Sequence, residues 1–373
     1  MEVTDLQPLR LHVFETLTGN PVVRVPFTDV SWKESINSAG QLTMTLKWSR
    51  EAGQLNLKDK LEPWKYTLAV LRGNTVVKAG MVVRPNWDAE NLSLTVTCVD
   101  MWGYLGHMLS LDSLMVNTSP SGWQDGEVLI DEDHPTDKWI VGVKSNPYDW
   151  AANWLTNPGK WMPGFPLDFP PRDGTGNAWG KWPGWEMIFM DEALHDTTDR
   201  DDGSEIRFDP YLTEAGLLRW NGRVGRPEIA DTTWQWNALR PGQRAYVSSV
   251  DCDGSGMVNQ AYAVGGRRGD KTIVARSTVT KPGMPLLQVA DLSHSQEEDV
   301  SVLKAYTNEL VARGSQSQDV IVLKVGAEYT VRVGDHADVT VNDPWLGDTT
   351  LNLKVVDVAG DTSEWLTLQC RRL

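Results

Sequence analysis

The sequence is poor in cysteine, in long apolar runs and in basic charge, and each shortage excludes a class of protein. Only three of the 373 residues are cysteine, so at most one disulfide can form and a disulfide-stapled fold is excluded. No apolar run approaches the roughly 20 residues that a membrane-spanning helix needs. Lysine and arginine number 35 against 50 aspartates and glutamates, and the resulting charge of −15 argues against binding to nucleic acid or anionic lipid.

A secretory signal and motifs for catalysis and cofactor binding are also missing. The N-terminus lacks the basic stretch and apolar core of a secretory signal. The six histidines are scattered singly and no Cys-x-x-Cys occurs, so a zinc site would need ligands from distant segments. Gly265-Gly266 lacks the strand-to-helix context and the Lys-Ser or Lys-Thr of a phosphate-binding loop. We predict no catalytic, cofactor-binding or metal-binding residue. A pair of glycosidase carboxylates remains an open alternative, because the sequence does not give the distance between two carboxylates.

Tryptophan is abundant, although other aromatic residues are scarce. The 18 tryptophans exceed the six phenylalanines and eight tyrosines together. Eight of them crowd one stretch, namely Trp123, Trp139, Trp150, Trp154, Trp161, Trp179, Trp182 and Trp185. Exposed indoles stack on sugar rings, so this stretch is a candidate glycan-binding surface, but packing against prolines and helices is the favoured reading. Tryptophan also anchors protein–protein contacts, which suits a member of an assembly.

The first part of the chain, residues 1–108, predicts a small β domain. Apolar and polar residues alternate over residues 42–48 and 92–98, as in strands with one buried face. Gly73-Asn74 lies between two further apolar runs and predicts a tight hairpin. Residues 101–105 predict a short helix. Several short strands with turns between them indicate a barrel or sandwich.

The middle, residues 109–238, is rich in Pro, Gly, Trp and acidic residues. Six prolines between residues 158 and 183 are expected to interrupt regular elements. Asn146-Pro147 resembles a helix cap followed by a first-turn proline and predicts one short helix, and residues 185–194 predict a second. A loop-rich segment of this length is uncommon, so we expect packed indoles or a partner chain to order it.

The last part, residues 239–373, predicts a second β domain with one amphipathic helix over about residues 296–313. Ser295 and Glu298 have the spacing of a capping box, and Gly314 stands where a left-handed cap is expected. The apolar face of this helix carries Leu303, Tyr306 and Leu310.

The two β regions share a short sequence pattern. Residues 94–98 match residues 366–370 at three identical positions and at one further apolar position. A Val-Val pair and then an acidic turn precede each of these segments. Internal duplication and chance convergence of strands explain the pattern equally well.

Six segments of the β regions also carry a family resemblance. They are residues 30–46 (VSWKESINSAGQLTMTL), 61–64, 70–80, 333–339, 355–358 and 365–368. These segments resemble the minor tail proteins of long-tailed actinobacterial phages, the hub or tail-associated proteins of the tail tip. The Trp-rich middle matches nothing in that family.

The resemblance implies a β-dominated α+β fold with two related barrel or sandwich domains and an irregular insertion. It implies a non-enzymatic homotrimer at the virion tail tip, assembled in the host cytoplasm, whose six similar domains adapt a sixfold tail tube to a threefold tip. Its expected partners are the distal tail protein, the tape-measure protein and other tail-tip or receptor-binding proteins. DNA would pass through its channel without tight binding if the acidic residues line the channel, because acidic walls do not attract it. The alternative is that these residues lie outside and keep the assembly soluble.

A protein that binds or hydrolyses cell-wall glycans through the Trp-rich middle is the alternative function. The chain stops at Leu373, soon after the second β region, so we expect no appended hydrolase.

Overall fold

The computed structural model describes residues 6–110, 140–183, 186–200, 202–268, 271–292, 299–315 and 317–373. The strands in these residues are β1 Leu9–Glu15, β2 Pro21–Val25, β3 Asp29–Ser35, β4 Ser38–Lys47, β5 Tyr66–Arg72, β6 Thr75–Asp88, β7 Ser93–Val99, β8 Ile140–Ser145, β9 Leu167–Asp168, β10 Ala178–Pro183, β11 Ile206–Leu212, β12 Leu218–Val224, β13 Thr233–Asn237, β14 Ala245–Asp253, β15 Gln260–Arg268, β16 Lys271–Thr278, β17 Gln288–Asp291, β18 Gln318–Gly326, β19 His336–Asp343, β20 Gly347–Gly360 and β21 Trp365–Arg372. The helices are α1 Arg50–Gln54, α2 Leu57–Lys60, α3 Met101–Leu105, α4 Pro147–Trp161, α5 Met190–Thr198 and α6 Val300–Gly314. None of these helices is long and apolar enough to cross a bilayer. The β-dominated α+β prediction is confirmed.

The chain divides into two compact units. The first comprises Met1–Tyr246 and Leu323–Gln369, and the second comprises Val247–Val322 and Cys370–Leu373. This division follows internal contacts and does not decide the three-part division at residues 108 and 238, which stays a prediction.

The first β region is an antiparallel run in the order β3-β4-β7-β6-β5-β1-β2. Side chains alternate along β4 and β7, so that Leu42 and Met44 are buried on the same face as their cross-strand neighbours Cys98 and Val96. Gly73 adopts a positive φ of 61° between β5 and β6, as the tight hairpin requires. The predicted strands, hairpin and short helix of this region are confirmed.

The second β region repeats that strand order. Its strands lie in the order β14-β18-β21-β20-β19-β13, which corresponds strand for strand to β3-β4-β7-β6-β5-β1 and keeps the same order along the chain. The pairing of β13 differs from that of its counterpart, since β13 is parallel to β19 whereas β1 is antiparallel to β5. The prediction of two related β regions is therefore confirmed.

Of the barrel and the sandwich that were predicted as alternatives for each region, the closed barrel does not occur among the described strands. The described strands leave the sheet open at β14, at β13 and at β2. β20 is long enough to pair with β19 through its first half and with β3 through its second half. Hydrogen bonds that would close one region on itself are used instead to continue the sheet into the other region.

The middle region contains the predicted helix α4. The Asn146 side chain caps it by accepting from the Asp149 backbone N–H at 2.9 Å, and Pro147 occupies the first turn. Pro158 lies inside α4, so the expectation that it interrupts regular structure is wrong. The second helix is α5, which begins at Met190 and thus later than predicted; Trp185 lies outside the described residues.

Aromatic side chains of the middle region share a core with the first β region. Trp150, Trp154 and Trp182 are buried, and they pack in one cluster with Met81 and Trp102. The Trp182 ring lies edge-on to Trp154 at 5.1 Å between centroids. Packed indoles therefore order this part of the insertion, as expected from its shortage of aliphatic residues.

In the second unit, α6 packs on the sheet of β15, β16 and β17, with Leu303, Ala263 and Ala275 in its core. Asp299 is the N-cap of α6, and its carboxylate accepts from the Ser301 backbone N–H at 2.8 Å. The predicted capping residues Ser295 and Glu298 lie outside the described residues.

The predicted left-handed cap at Gly314 is wrong, because Gly314 is the last helical residue and Ser315 follows it with φ of −74°. A Cβ at Gly314 would lie 2.8 Å from the Cβ of Val258. The close approach of two backbones, and not a positive φ, is what requires glycine there.

Candidate assembly interface

One strand joint inside the chain links the two β regions. β20 pairs antiparallel with β3 in a register that runs from Gly360 opposite Trp32 to Asp357 opposite Ser35. Lys33 Nζ lies 2.9 Å from the Asp357 carboxylate across this joint. The joint is therefore a short four-residue ladder with one cross-strand ion pair.

The indole of Trp32 covers Gly360 in this joint. A Cβ at position 360 would lie 2.3 Å from Cζ2 of Trp32, a distance at which no side chain fits. Beyond the ladder, the Thr362 hydroxyl donates to the Asp29 carboxylate at 3.3 Å. A bulky residue on β3 and a residue without a side chain on β20 thus make the two strands complementary in shape.

A carboxyl group is buried beside the joint. Glu34 on β3 is only 7% exposed. Burial raises the pKa of Glu34 above its ordinary value, although the positive charges of Lys78, Arg332 and Arg207 oppose the rise. The charged form of Glu34 is therefore disfavoured in the folded protein.

Lys78 and Asp100 form a buried ion pair in the first β region. Lys78 Nζ lies 3.0 Å from the Asp100 carboxylate, and the side chains are 3% and 10% exposed. The same carboxylate accepts from the Gly40 N–H at 2.7 Å and from the Gly103 N–H at 3.3 Å, so it also caps α3. One buried carboxylate thereby fixes β4, β6 and the start of α3 in one arrangement.

Further buried charges connect the middle region to the second β region. Lys354 on β20 is fully buried, and its Nζ lies 2.8 Å from the carboxylates of both Glu205 and Glu228. Arg207 on β11 donates to the backbone carbonyl of Val333, which precedes β19, at 2.7 Å. The Lys354 pairs orient the insertion against β20, since breaking a buried pair leaves an uncompensated charge.

The first β region has an exposed segment where the second has its joint. The second half of β6 corresponds to the second half of β20, and its residues 84–87 are exposed. β7 is the only described strand that pairs with this segment. Trp87 is 46% exposed and Trp48 is 40% exposed, and their rings meet edge-on at 5.0 Å.

Two of the cavities that are lined by described residues lie in the first unit. A cavity of about 220 Å³ beside the joint is lined by Trp32, Glu34, Arg72 and Arg332, among others. A cleft of about 630 Å³ is lined by aromatic side chains, and these are Trp64, Tyr66, Tyr104, His107 and Phe165. Burial raises the pKa of Tyr104 to about 12. The volume of the cleft falls within the range of about 300–1,000 Å³ that is typical of small-molecule sites.

No group of three or more His, Cys, Asp or Glu among the described residues is arranged to hold a metal ion. All three cysteines are free; Cys98 and Cys370 are buried, and Cys252 is exposed. Burial raises the pKa of Cys370 to about 12 and raises that of Cys98 as well. These two thiols are therefore protonated core side chains.

Among the described tryptophan side chains of the candidate glycan surface, three are buried and Trp161 is 39% exposed. Trp150, Trp154 and Trp182 are buried in the core and have no face to offer to a sugar. The candidates Trp123, Trp139 and Trp185 lie outside the described residues. The exposed pair Trp48 and Trp87 was not identified from sequence, because the two residues are far apart in the chain and each belongs to an ordinary strand pattern.

No protein-family profile matches the chain, and no curated protein matches it by sequence. Solved structures do match. A tail protein from Neisseria meningitidis is similar with a TM-score of 0.55 at 13% identity, over 98% of this chain and 97% of that one. The 43 kDa tail protein of prophage MuSo2 from Shewanella oneidensis is similar with a TM-score of 0.52 at 12% identity, over 97% and 98%.

A prophage tail protein from Listeria monocytogenes is similar with a TM-score of 0.50 at 10% identity, over 97% of this chain and 94% of that one. The likeness extends over nearly the whole chain in all three comparisons. The chain therefore has the fold of phage tail proteins.

Proposed function

We propose that this protein is a structural hub of a phage tail tip, which works as a homotrimeric ring. One observation carries the proposal: the chain contains the same strand order twice and joins the two copies edge to edge through β20 and β3. The fold of phage tail proteins over nearly the whole chain supports the tail as its location.

The repeat explains how three chains could meet a sixfold partner. Three copies supply six similar β regions, which alternate around one axis. Joints within chains alternate with joints between chains, and a head-to-tail contact of this kind closes into a ring when its rotation is 120°. Such a ring presents near-sixfold symmetry to a tail tube and threefold symmetry to the tip.

The partners in this proposal are the distal tail protein above the ring and the tip or receptor-binding proteins below it. The tape-measure protein and then DNA would pass through the central channel during ejection. The net charge of −15 for each chain suits this passage, because an acidic channel does not gain the counterion-release energy that holds DNA to basic proteins. The work is architectural, with no catalytic step.

The mass of the purified chain in solution tests the proposal. We expect a concentration-dependent trimer by light scattering, and ring-shaped particles with a central hole by electron microscopy. A chain that stays monomeric over its whole soluble concentration range contradicts the ring.

The aromatic cleft around Trp64 and Tyr104 supports a second candidate, binding to a wall glycan. A monomer that sediments with cell walls, and loses this property when Trp64 is replaced by alanine, would favour the second candidate over the hub.

A further inference from the structure

Trp48 and Trp87 form an exposed apolar patch at one end of the first β region. Trp48 follows β4, and its backbone N–H donates to the Leu92 carbonyl at 2.8 Å, which places the turn between β6 and β7 beside it. Leu92 is 55% exposed. Two indoles and a leucine side by side on the surface are typical of a protein contact, where large aromatic side chains supply most of the binding energy.

The strand repeat indicates what covers the patch. Trp87 lies in the second half of β6, and the corresponding half of β20 is covered by β3 within the same chain. The strand that corresponds to β3 in the second region is β14, which ends the sheet order. The exposed half of β6 and the edge of β14 are therefore two unlike edges of one molecule, as a head-to-tail contact between copies requires.

We propose that Trp48 and Trp87 anchor the contact with β14 of a second copy of this chain. The inference rests on the proposed trimer and names the residues that hold it together. The partner strand carries small exposed side chains at Ser248 and Ser249, which leave room for an indole.

In the proposed contact, the large side chain comes from the opposite member of the strand pair compared with the joint within the chain. There, β3 supplies the indole of Trp32 and β20 supplies Gly360. Between copies, β6 supplies the indole of Trp87 and β14 supplies the serines. Pro85 has no N–H to donate to a neighbouring strand, so a hydrogen-bond ladder between copies would lack one donor there.

The test compares trimer formation by Trp48→Ala and Trp87→Ala with that of the unaltered chain. Each variant is expected to raise the concentration for half-maximal trimer formation about tenfold or more. Trp345→Ala is the matched control, because Trp345 is 78% exposed in the turn between β19 and β20; it is expected to trimerise normally. Ser249→Arg alters the partner strand without touching the tryptophans and is expected to weaken the trimer in the same way.

The outcomes separate this inference from the ring itself. If the unaltered chain trimerises and the two tryptophan variants and Ser249→Arg trimerise equally well, the ring stands and the inference is wrong. If the tryptophan variants trimerise normally but lose binding to another tail protein, the patch serves that protein and the inference is again wrong. If the unaltered chain never trimerises, both the proposed trimeric ring and this inference are wrong.

Discussion

Glu34, Lys78 and Asp100 are charged side chains that lie inside the first β region. Lys78 and Asp100 compensate each other at 3.0 Å. Glu34 has positive charges around it, but burial outweighs them and keeps its pKa raised. Charged side chains are usually exposed, so the sequence predicts that its carboxylates are solvated. The structure buries a few of them, and these need compensating charges or a bound proton.

Replacement of Glu34 by glutamine is expected to stabilise the protein at neutral pH. The folded protein keeps the Glu34 proton to a higher pH than the unfolded chain does, whose pKa is near the ordinary 4.5. The free energy of unfolding therefore falls as the pH rises from the ordinary pKa of Glu34 to the raised pKa of Glu34 in the folded protein. Glutamine copies the protonated form, so the gain should vanish below the ordinary pKa. Urea unfolding over a pH series measures it.

Glu62→Gln is the control for this experiment. Its side chain is 57% exposed and pairs with Lys65 on the surface, so its effect should be small at every pH. A gain for Glu34→Gln that persists unchanged at low pH would show that the charge of Glu34 is not its cause.

At the scale of elements, the joint between β3 and β20 depends on Gly360. Gly360→Ala places a methyl group where the Trp32 indole lies, and overpacking of this kind is expected to cost about 1–3 kcal/mol. Gly159→Ala is the matched control, because a Cβ at Gly159 in α4 meets nothing within 4 Å. Alanine there should be neutral or stabilise the helix by about 0.5–1 kcal/mol.

Urea midpoints followed by circular dichroism measure both glycine variants. Equal stability of the Gly360 and Gly159 variants would contradict the claim that the Trp32 indole requires glycine at position 360.

Elements with strong local signals were predictable from the sequence, and elements set by distant contacts were not. The cap at Asn146 and the turn at Gly73 use chemistry within a few residues, and both predictions are confirmed. Gly314 was predicted from its position after an apolar face, but its role depends on Val258, which is 56 positions away. Helix α4 continues through Pro158, because the tertiary packing of α4 compensates for the one backbone hydrogen bond that proline cannot make.

At the scale of the whole molecule, the net charge predicts that the protein does not bind DNA. The purified chain, with a net charge of −15 per copy, is expected not to retard duplex DNA in a gel at physiological salt, because it releases no counterions from the phosphates. The measurement is an electrophoretic shift over a series of salt concentrations. Saturable binding that weakens steeply as salt rises would reveal a basic surface and contradict an acidic passage.

The sequence by itself determined the β-dominated class, the alternating strands and the weak pattern shared by residues 94–98 and 366–370, because strand period and turn chemistry are local properties. The tertiary structure decided that the two regions share one strand order, that neither closes into a barrel among the described strands, and that Trp150, Trp154 and Trp182 of the Trp-rich segment are core. It also brought together Trp48 and Trp87. These facts depend on which edges and faces meet, and contacts between distant residues are set by packing of the whole chain and not by any single segment.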